Sequence, residues 1–291
     1  MKNILEVENL KKDFGSFGLN NVKFSLEENC ITGFIGINGA GKTTTIKTIL
    51  GQIIKDSGTI KFFGKDMESN EKEIKNKIGV VLDEGYFYNH LSLKEMKNII
   101  APAYKNWNEE IFKNYINKFN LKLNQKIETL SKGMRMKYSI ALALSHEAEF
   151  LIMDEPTSGL DPLIRTELMN ILLEFMKNGG KGVFFSTHIT SDLEKVADKL
   201  ILINKGQIIF NERKDTLINS HKIVKGKKIL LSDEMKNSFI NFNDYGDDFE
   251  GITVDKSIIN NQTEALTLIK PSIEDIMLAY IEGRKCECLT L

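Results

Sequence analysis

Gly36-Ile37-Asn38-Gly39-Ala40-Gly41-Lys42-Thr43 fits the pattern G-x-x-x-x-G-K-[ST], and its surroundings give the pattern physical meaning. The run Ile31-Thr32-Gly33-Phe34-Ile35 before it reads as a buried strand, and Thr44 to Leu50 after it reads as a helix. In a strand-loop-helix of this kind the glycines let backbone N–H groups curl around a phosphate, and the helix N-terminus adds its partial positive charge. Lys42 is then expected to face the β- and γ-phosphates. The Thr43 hydroxyl is expected to face Mg²⁺, which keeps much of its octahedral shell as water and phosphate oxygen. A glycine-rich turn that binds nothing explains the glycines but not this context. The stretch predicts binding of a nucleoside triphosphate, with Gly36 to Thr44 as the cradle.

Composition bounds that expectation. At 291 residues, with 42% hydrophobic and 27% charged residues, the chain has the make-up of an ordinary globular protein of about two domains. A formal net charge of −1 gives no general attraction to nucleic acid or anionic lipid, so nucleic acid is not an expected partner. The opening Met1-Lys2-Asn3-Ile4-Leu5-Glu6-Val7-Glu8 meets an acidic residue too early for a secretory signal. No apolar run approaches the ~20 residues of a membrane helix, so a cytoplasmic location is expected. Of the three cysteines, Cys30 adjoins the strand before the phosphate loop, while Cys286 and Cys288 lie in the tail. No further metal ligands stand near that C-x-C pair, which reads as incidental surface thiols.

Along the chain, the first thirty residues suggest antiparallel strands, with Val22, Phe24 and Leu26 alternating against polar neighbours. Strands are expected at Gly58 to Gly64 and Ile78 to Leu82. From about 86 to 147 helical periodicity takes over (Leu93, Met96, Ile99, Ile100; then Ile111, Tyr115, Ile116, Phe119), which reads as a helical insertion. Apolar strands return at Phe150–Met153, Val183–Phe185 and Leu200–Ile203, around an amphipathic segment carrying Ile164, Leu168, Ile171, Leu172 and Phe175. Continuous apolar strands alternating with helices predict a parallel sheet covered on both faces. Asn204-Lys205-Gly206 reads as a hairpin turn into Gln207–Phe210. Beyond it, residues 213–291 suggest a small α+β domain: a run from Ile223 to Leu231, a helix from Glu234 to Ile240, an acidic loop from Asp244 to Glu250, strands near Ile252 and Leu266, and a final helix from Ser272 to Glu282.

Phe150-Leu151-Ile152-Met153-Asp154-Glu155 is an apolar strand ending in two carboxylates. A strand buried on both faces carries Asp154 to the C-terminal edge of the sheet, where such sheets bind ligands. Asp154 is the expected Mg²⁺ partner through its water shell. Glu155 is the expected base that polarises the attacking water.

With Gly36–Thr43, the sequences Leu130-Ser131-Lys132-Gly133-Met134 and Ser158-Gly159-Leu160-Asp161 make the chain resemble an ATP-binding-cassette (ABC) ATPase subunit over about residues 1–210. The end Pro271-Ser272-Ile273-Glu274-Asp275-Ile276-Met277-Leu278-Ala279-Tyr280 is similar to the tails of ATPases serving ABC-2-type exporters, within which the chain looks most similar to the YtrB-like branch. The resemblance implies a P-loop NTPase with a RecA-like parallel sheet, an antiparallel β subdomain and a helical insertion in residues 1–212, with 213–291 as an accessory domain. It implies an ATP-hydrolysing subunit, using ATP and Mg²⁺, that drives a separate membrane permease from the cytoplasmic face of the membrane. Two such subunits, identical or related, would close head to tail around two ATP molecules.

Residue by residue, Ser131, Lys132, Gly133 and Met134 stand for the family's LSGGQ, which closes over the nucleotide held by the opposite protomer. Ser131 also reads independently as the N-cap of a helix, a second anion-binding terminus. His188, in Phe184-Phe185-Ser186-Thr187-His188, matches the switch histidine of the γ-phosphate, and Asp161 belongs to the loop linking the two sites. Phe14, in Lys11-Lys12-Asp13-Phe14-Gly15, matches the aromatic that stacks on adenine, with core packing as its rival role. Two positions depart from the family: Asp83 replaces a glutamine that reaches Mg²⁺, and Lys132 and Met134 replace glycine and glutamine. Asp83 can still ligate Mg²⁺, with a shorter reach. Tyr86-Phe87-Tyr88-Asn89-His90-Leu91 falls where the family docks the membrane partner; packing inside the helical insertion is the alternative. A soluble ABC ATPase acting on ribosome or DNA fits less well, because tandem cassettes, coiled-coil arms or zinc modules have no room here. A low-turnover ATP-gated module fits poorly with Glu155 and His188 together. Because the nucleotide motifs end at His188, residues beyond about 220 are expected to be dispensable for ATP contact.

Overall fold

The computed structural model describes residues 2–82, 86–177, 179–255, 257 and 266–283. The chain opens with β1 (Asn3–Asp13) and β2 (Gly18–Glu27), which pair antiparallel, and then enters β3 (Cys30–Ile35). After the phosphate loop come α1 (Lys42–Ile49), β4 (Ser57–Phe62), the short β5 (Lys65–Asp66), α2 (Glu71–Lys75) and β6 (Ile78–Val81). The helical insertion is α3 (Leu93–Ile100), α4 (Glu109–Lys118) and α5 (Lys132–Leu144). Then follow β7 (Phe150–Asp154), α6 (Pro162–Met176), β8 (Gly182–Thr187), α7 (Thr190–Val196), β9 (Lys199–Asn204) and β10 (Gln207–Arg213). The remaining elements are α8 (Lys214–Ser220), β11 (Lys222–Lys227), α9 (Asp233–Ser238), β12 (Asn241–Asp244), β13 (Asp248–Thr253), β14 (Thr267–Ile269) and α10 (Ile273–Glu282).

The central sheet has the order β10-β9-β3-β8-β7-β6, parallel except for the edge strand β10. Every residue of β3, β7 and β8 is buried, which is why these strands read as unbroken apolar runs. Their side chains alternate between two cores. Phe34, Phe150, Ile152, Phe184, Ile201 and Ile203 face the antiparallel sheet β2-β1-β4-β5 and α1. Ile35, Leu151, Met153, Val183, Phe185 and Leu202 face the layer of α5, α6, α7 and α10. The strand order follows the crossover pattern of an open α/β sheet and brings the C-terminal ends of β3, β7 and β8 side by side.

The third sheet, β12-β13-β11-β14, is antiparallel and has its own small core of Val224, Phe239 and Phe249. Three expectations shift here. The run Ile223 to Leu231 is a strand only to Lys227, where pairing with β13 ends at Asp248; Lys228–Leu230 forms a 3₁₀ turn and Ile229 is 93% exposed. The helix expected from Glu234 to Ile240 stops at Ser238, since Ile240 N–H bonds to Ile252 and leads into β12. The acidic stretch Asp244–Glu250 is a hairpin: Tyr245 N–H reaches Asp248, Gly246 has φ 84°, and Asp248 to Glu250 already belong to β13.

Candidate active site at the carboxyl ends of β3, β7 and β8

The phosphate loop is pinned by its glycines. A Cβ on Gly36 would sit 2.5 Å from the Ile203 carbonyl oxygen, and Gly41, the residue capping α1, has φ 113°. Among the described residues no side chain caps α1, so its first N–H groups point into the loop. Lys42 is buried at 6% exposure and its ammonium is held by three acceptors: the Gly36 carbonyl at 2.7 Å, the Ile37 carbonyl at 3.3 Å and Glu155 Oε1 at 3.1 Å.

Asp154 ends β7 in a buried position, directly opposite Ser186 in the β7–β8 register. The Ser186 hydroxyl donates to Asp154 Oδ1 at 2.6 Å and accepts from the Glu155 N–H at 2.9 Å, so one side chain fixes both carboxylate residues. Burial pushes the Asp154 carboxyl above the ordinary range. Hydrogen bonds from Ser186 and Thr43 pull it back, and the neighbouring Glu155 charge adds to the rise. Glu155 has φ 48°, left-handed backbone for a non-glycine residue. Its carboxylate bridges Lys42 through Oε1 and His188 through Oε2, which lies 2.8 Å from Nδ1. Asp154 and the adjacent Thr43 hydroxyl form a hard oxygen donor set of the kind Mg²⁺ prefers. Asp83 lies outside the described residues.

The expected residues thus fall into two groups. Lys42, Thr43, Asp154, Glu155 and His188 meet at the strand ends. Ser131 to Met134 gather instead with the loop ending at Asp161. Ser131 caps α5 by accepting from Met134 N–H at 3.2 Å, and Asp161 caps α6 by accepting from Leu163 and Ile164 N–H at 3.0 Å. A Cβ on Gly133 would meet Ile164 Cδ1 at 2.5 Å, and the Lys132 side chain passes over Gly159, its Nζ 3.4 Å from where a Cβ would be. Met134 packs against the main core. Phe14 is 50% exposed and stacks on Phe17, ring centroids 6.4 Å apart; Phe17 in turn lies 3.1 Å from an ideal Cβ on Gly41. Its exposure removes core packing as the role of Phe14. Of the aromatics after position 85, Phe87 packs on Tyr138 while Tyr86 and Tyr88 are exposed. Sequence reasoning misses Ser186, whose only signal is a hydroxyl directly after the apolar run Val183-Phe184-Phe185.

Along nearly its whole length the chain is similar to the bacitracin transport ATP-binding protein BcrA of Bacillus licheniformis: 30% identity, covering 97% of this chain and 99% of that protein. The chain belongs to the ATP-binding subunits of ABC transporters. A family model described as ABC transporter matches residues 19–158. The lantibiotic transport ATP-binding protein SrtF of Streptococcus pyogenes is 34% identical, over 73% of this chain and 92% of that one. A solved structure described as the ATP binding subunit of an ABC transporter superposes with a TM-score of 0.66 at 28% identity, covering 74% of this chain and 92% of its own. As a member of this family the chain is an ATP-binding, ATP-hydrolysing enzyme. Among the described residues no helix is long and apolar enough to cross a membrane.

Proposed function

We propose that this ABC ATPase powers an exporter of the ABC-2 type whose membrane permease is a separate chain, working at the cytoplasmic face of the membrane as a head-to-tail dimer with itself or a related subunit. The observation that carries the hydrolytic part is the Glu155 carboxylate lying between Lys42 and His188. A triphosphate entering the loop takes Lys42 and the N-terminal N–H groups of α1 as its partners, which releases Glu155 toward water. Glu155 then accepts a proton as the water oxygen bonds to the γ-phosphorus and the bond to the β-bridging oxygen breaks. His188 orients Glu155. Thr43 and Asp154, with Asp83, would hold Mg²⁺, which when bound neutralises phosphate charge. Phe14, whose ring is half exposed, would stack on adenine. The exposed Tyr86 and Tyr88 suit contact with the permease, and the similarity of BcrA and SrtF, both transport proteins by name, supports the transporter assignment.

The shared-site part is supported by the contacts of Lys132 and Gly133 with the loop ending at Asp161 and the start of α6, and it is tested with two variants. Ser131→Arg alone is expected to bind ATP as wild type does but to lose ATP-induced dimerisation in light scattering and to lose hydrolysis. Mixed with Lys42→Ala, it should regain partial closure, because both lesions then fall on one of two sites. Undiminished hydrolysis by Ser131→Arg alone rejects the shared site.

A further inference from the structure

Asp192 is completely buried on α7, the helix that starts two residues past His188. Its Oδ1 takes a hydrogen bond of 2.7 Å from Arg165 Nη2, which also reaches the Ser191 hydroxyl at 3.2 Å. Arg165 stands one turn into α6, four residues after Asp161, and its N–H bonds to the Asp161 carbonyl. Asp192 Oδ2 and Arg165 Nε are buried without a hydrogen-bond partner among the described residues. Two buried polar atoms left unpaired beside a short ion pair add nothing to folding stability, so the pair calls for an explanation other than stability. On its other side α7 seats Leu193 directly over Gly33 of β3, where a Cβ would come 2.1 Å from Leu193 Cδ2. The helix behind His188 is therefore held between the strand that feeds the phosphate loop and the helix that begins after Asp161.

We propose that Arg165 and Asp192 are positioning residues for hydrolysis: the pair fixes α7 against α6 and thereby holds His188 on Glu155. This rests on the reading of His188 given above. Neither residue touches the reacting atoms. The link makes the position of His188 depend on the loop ending at Asp161, so movement of that loop is carried to His188 through one partly buried ion pair.

The test uses the full chain with ATP and Mg²⁺. Arg165→Gln combined with Asp192→Asn removes both charges and leaves neutral amides, Asn matching Asp in size and Gln being shorter than Arg, so no lone buried charge remains. The expected result is a fall in kcat of roughly 10- to 10²-fold with ATP affinity and KM unchanged. In a His188→Ala background the same two changes should cause no further loss. Ring-nitrogen NMR gives a readout independent of turnover: the chain has four histidines, so His188→Ala assigns the signal. The Nδ1 proton held at Glu155 in the wild type should give way to a solvent-like tautomer mixture in the paired variant. Should that variant fail to fold, Arg165→Lys, which keeps the charge but not the fork, should give a smaller shift of the same signal and a smaller fall in kcat. Equal fractional losses with and without His188, or an unchanged His188 spectrum in a folded variant, overturn the proposal. Wild-type turnover by His188→Ala would instead remove the reading of His188, and this proposal with it.

Discussion

Replacing Glu155 by glutamine separates the two things this carboxylate does. Oε1 sits 3.1 Å from the buried Lys42 ammonium, a bare attraction of about 5 kcal/mol at an effective dielectric constant near 20. Desolvation cancels most of this, and a charged hydrogen bond of this kind contributes about 1.5–3 kcal/mol net. A triphosphate must displace that bond to reach Lys42. The neutral amide of the Glu155→Gln variant competes for Lys42 less well than the carboxylate, so ATP should bind about 10-fold to 10²-fold more tightly at 1.4 kcal/mol per decade. Turnover should move the other way, falling roughly 10²- to 10⁴-fold, because the amide cannot accept the proton. Fluorescent-nucleotide titration measures the first effect and phosphate release in a single turnover measures the second. Tight binding without turnover should also accumulate ATP-bound dimer in gel filtration. Weaker ATP binding by Glu155→Gln would refute the competition for Lys42, and turnover within a few-fold of wild type would refute the assignment of the base.

Asp154→Asn should raise the melting temperature at neutral pH while abolishing Mg²⁺-dependent ATP binding. Its folded carboxyl lies above the ordinary value, so wild type bears the cost of an ionised buried group at neutral pH, and the gap in melting temperature should shrink as pH falls toward and below about 4, where folded and unfolded states are both protonated. Phe14→Ala should weaken ATP and GTP alike by about 1 kcal/mol without lowering thermal stability, since the ring is half exposed; a large drop in melting temperature would speak against a stacking role. A chain ending at Ser220 keeps every nucleotide motif but loses α10, whose Ile273 and Ile276 are fully buried in the same core as Leu193 and Val196. It should bind ATP at low temperature yet melt well below the full chain in differential scanning calorimetry, and equal melting temperatures would show the α10 contact to be inert.

What could be read from the sequence follows periodicity and local spacing. The buried strands announced themselves as apolar runs because both faces of β3, β7 and β8 are covered, and the hairpin at Lys205-Gly206 because both residues need positive φ (46° and 74°). The phosphate loop is a contiguous motif and needed no tertiary knowledge. The C-terminal segment was less legible: Ile229 is as apolar as any core residue yet exposed, and only the end of the β11–β13 pairing says so. The contacts within the site were hidden for a different reason. Ser186 meets Asp154 across 32 positions of sequence because β8 lies next to β7 in the sheet, and strand order is not written in local pattern. The same holds for Arg165 and Asp192, 27 positions apart on successive helices.

Two adjacent residues at the end of β7 are both unfavourable for folding alone. Asp154 is a buried carboxylate whose ionisation is opposed by its surroundings. Glu155 holds a left-handed backbone, a conformation that costs of order 1–3 kcal/mol for a residue with an ordinary side chain. Asn9, Asn21, Asn29 and Asn120 share that conformation, and asparagine tolerates it; Phe63, Glu147 and Lys205 adopt it too, each in a turn or loop outside the site. A glycine at 155 and an asparagine at 154 would ease both costs and leave the strand, its register and its core untouched. Instead the two carboxylates stand together, one against Thr43 and Ser186, the other against Lys42 and His188. Folding does not ask for that pair, whereas phosphoryl transfer to water, with Asp154 and Glu155 in the roles proposed above, asks for both a hard oxygen donor and a base within reach of one phosphate.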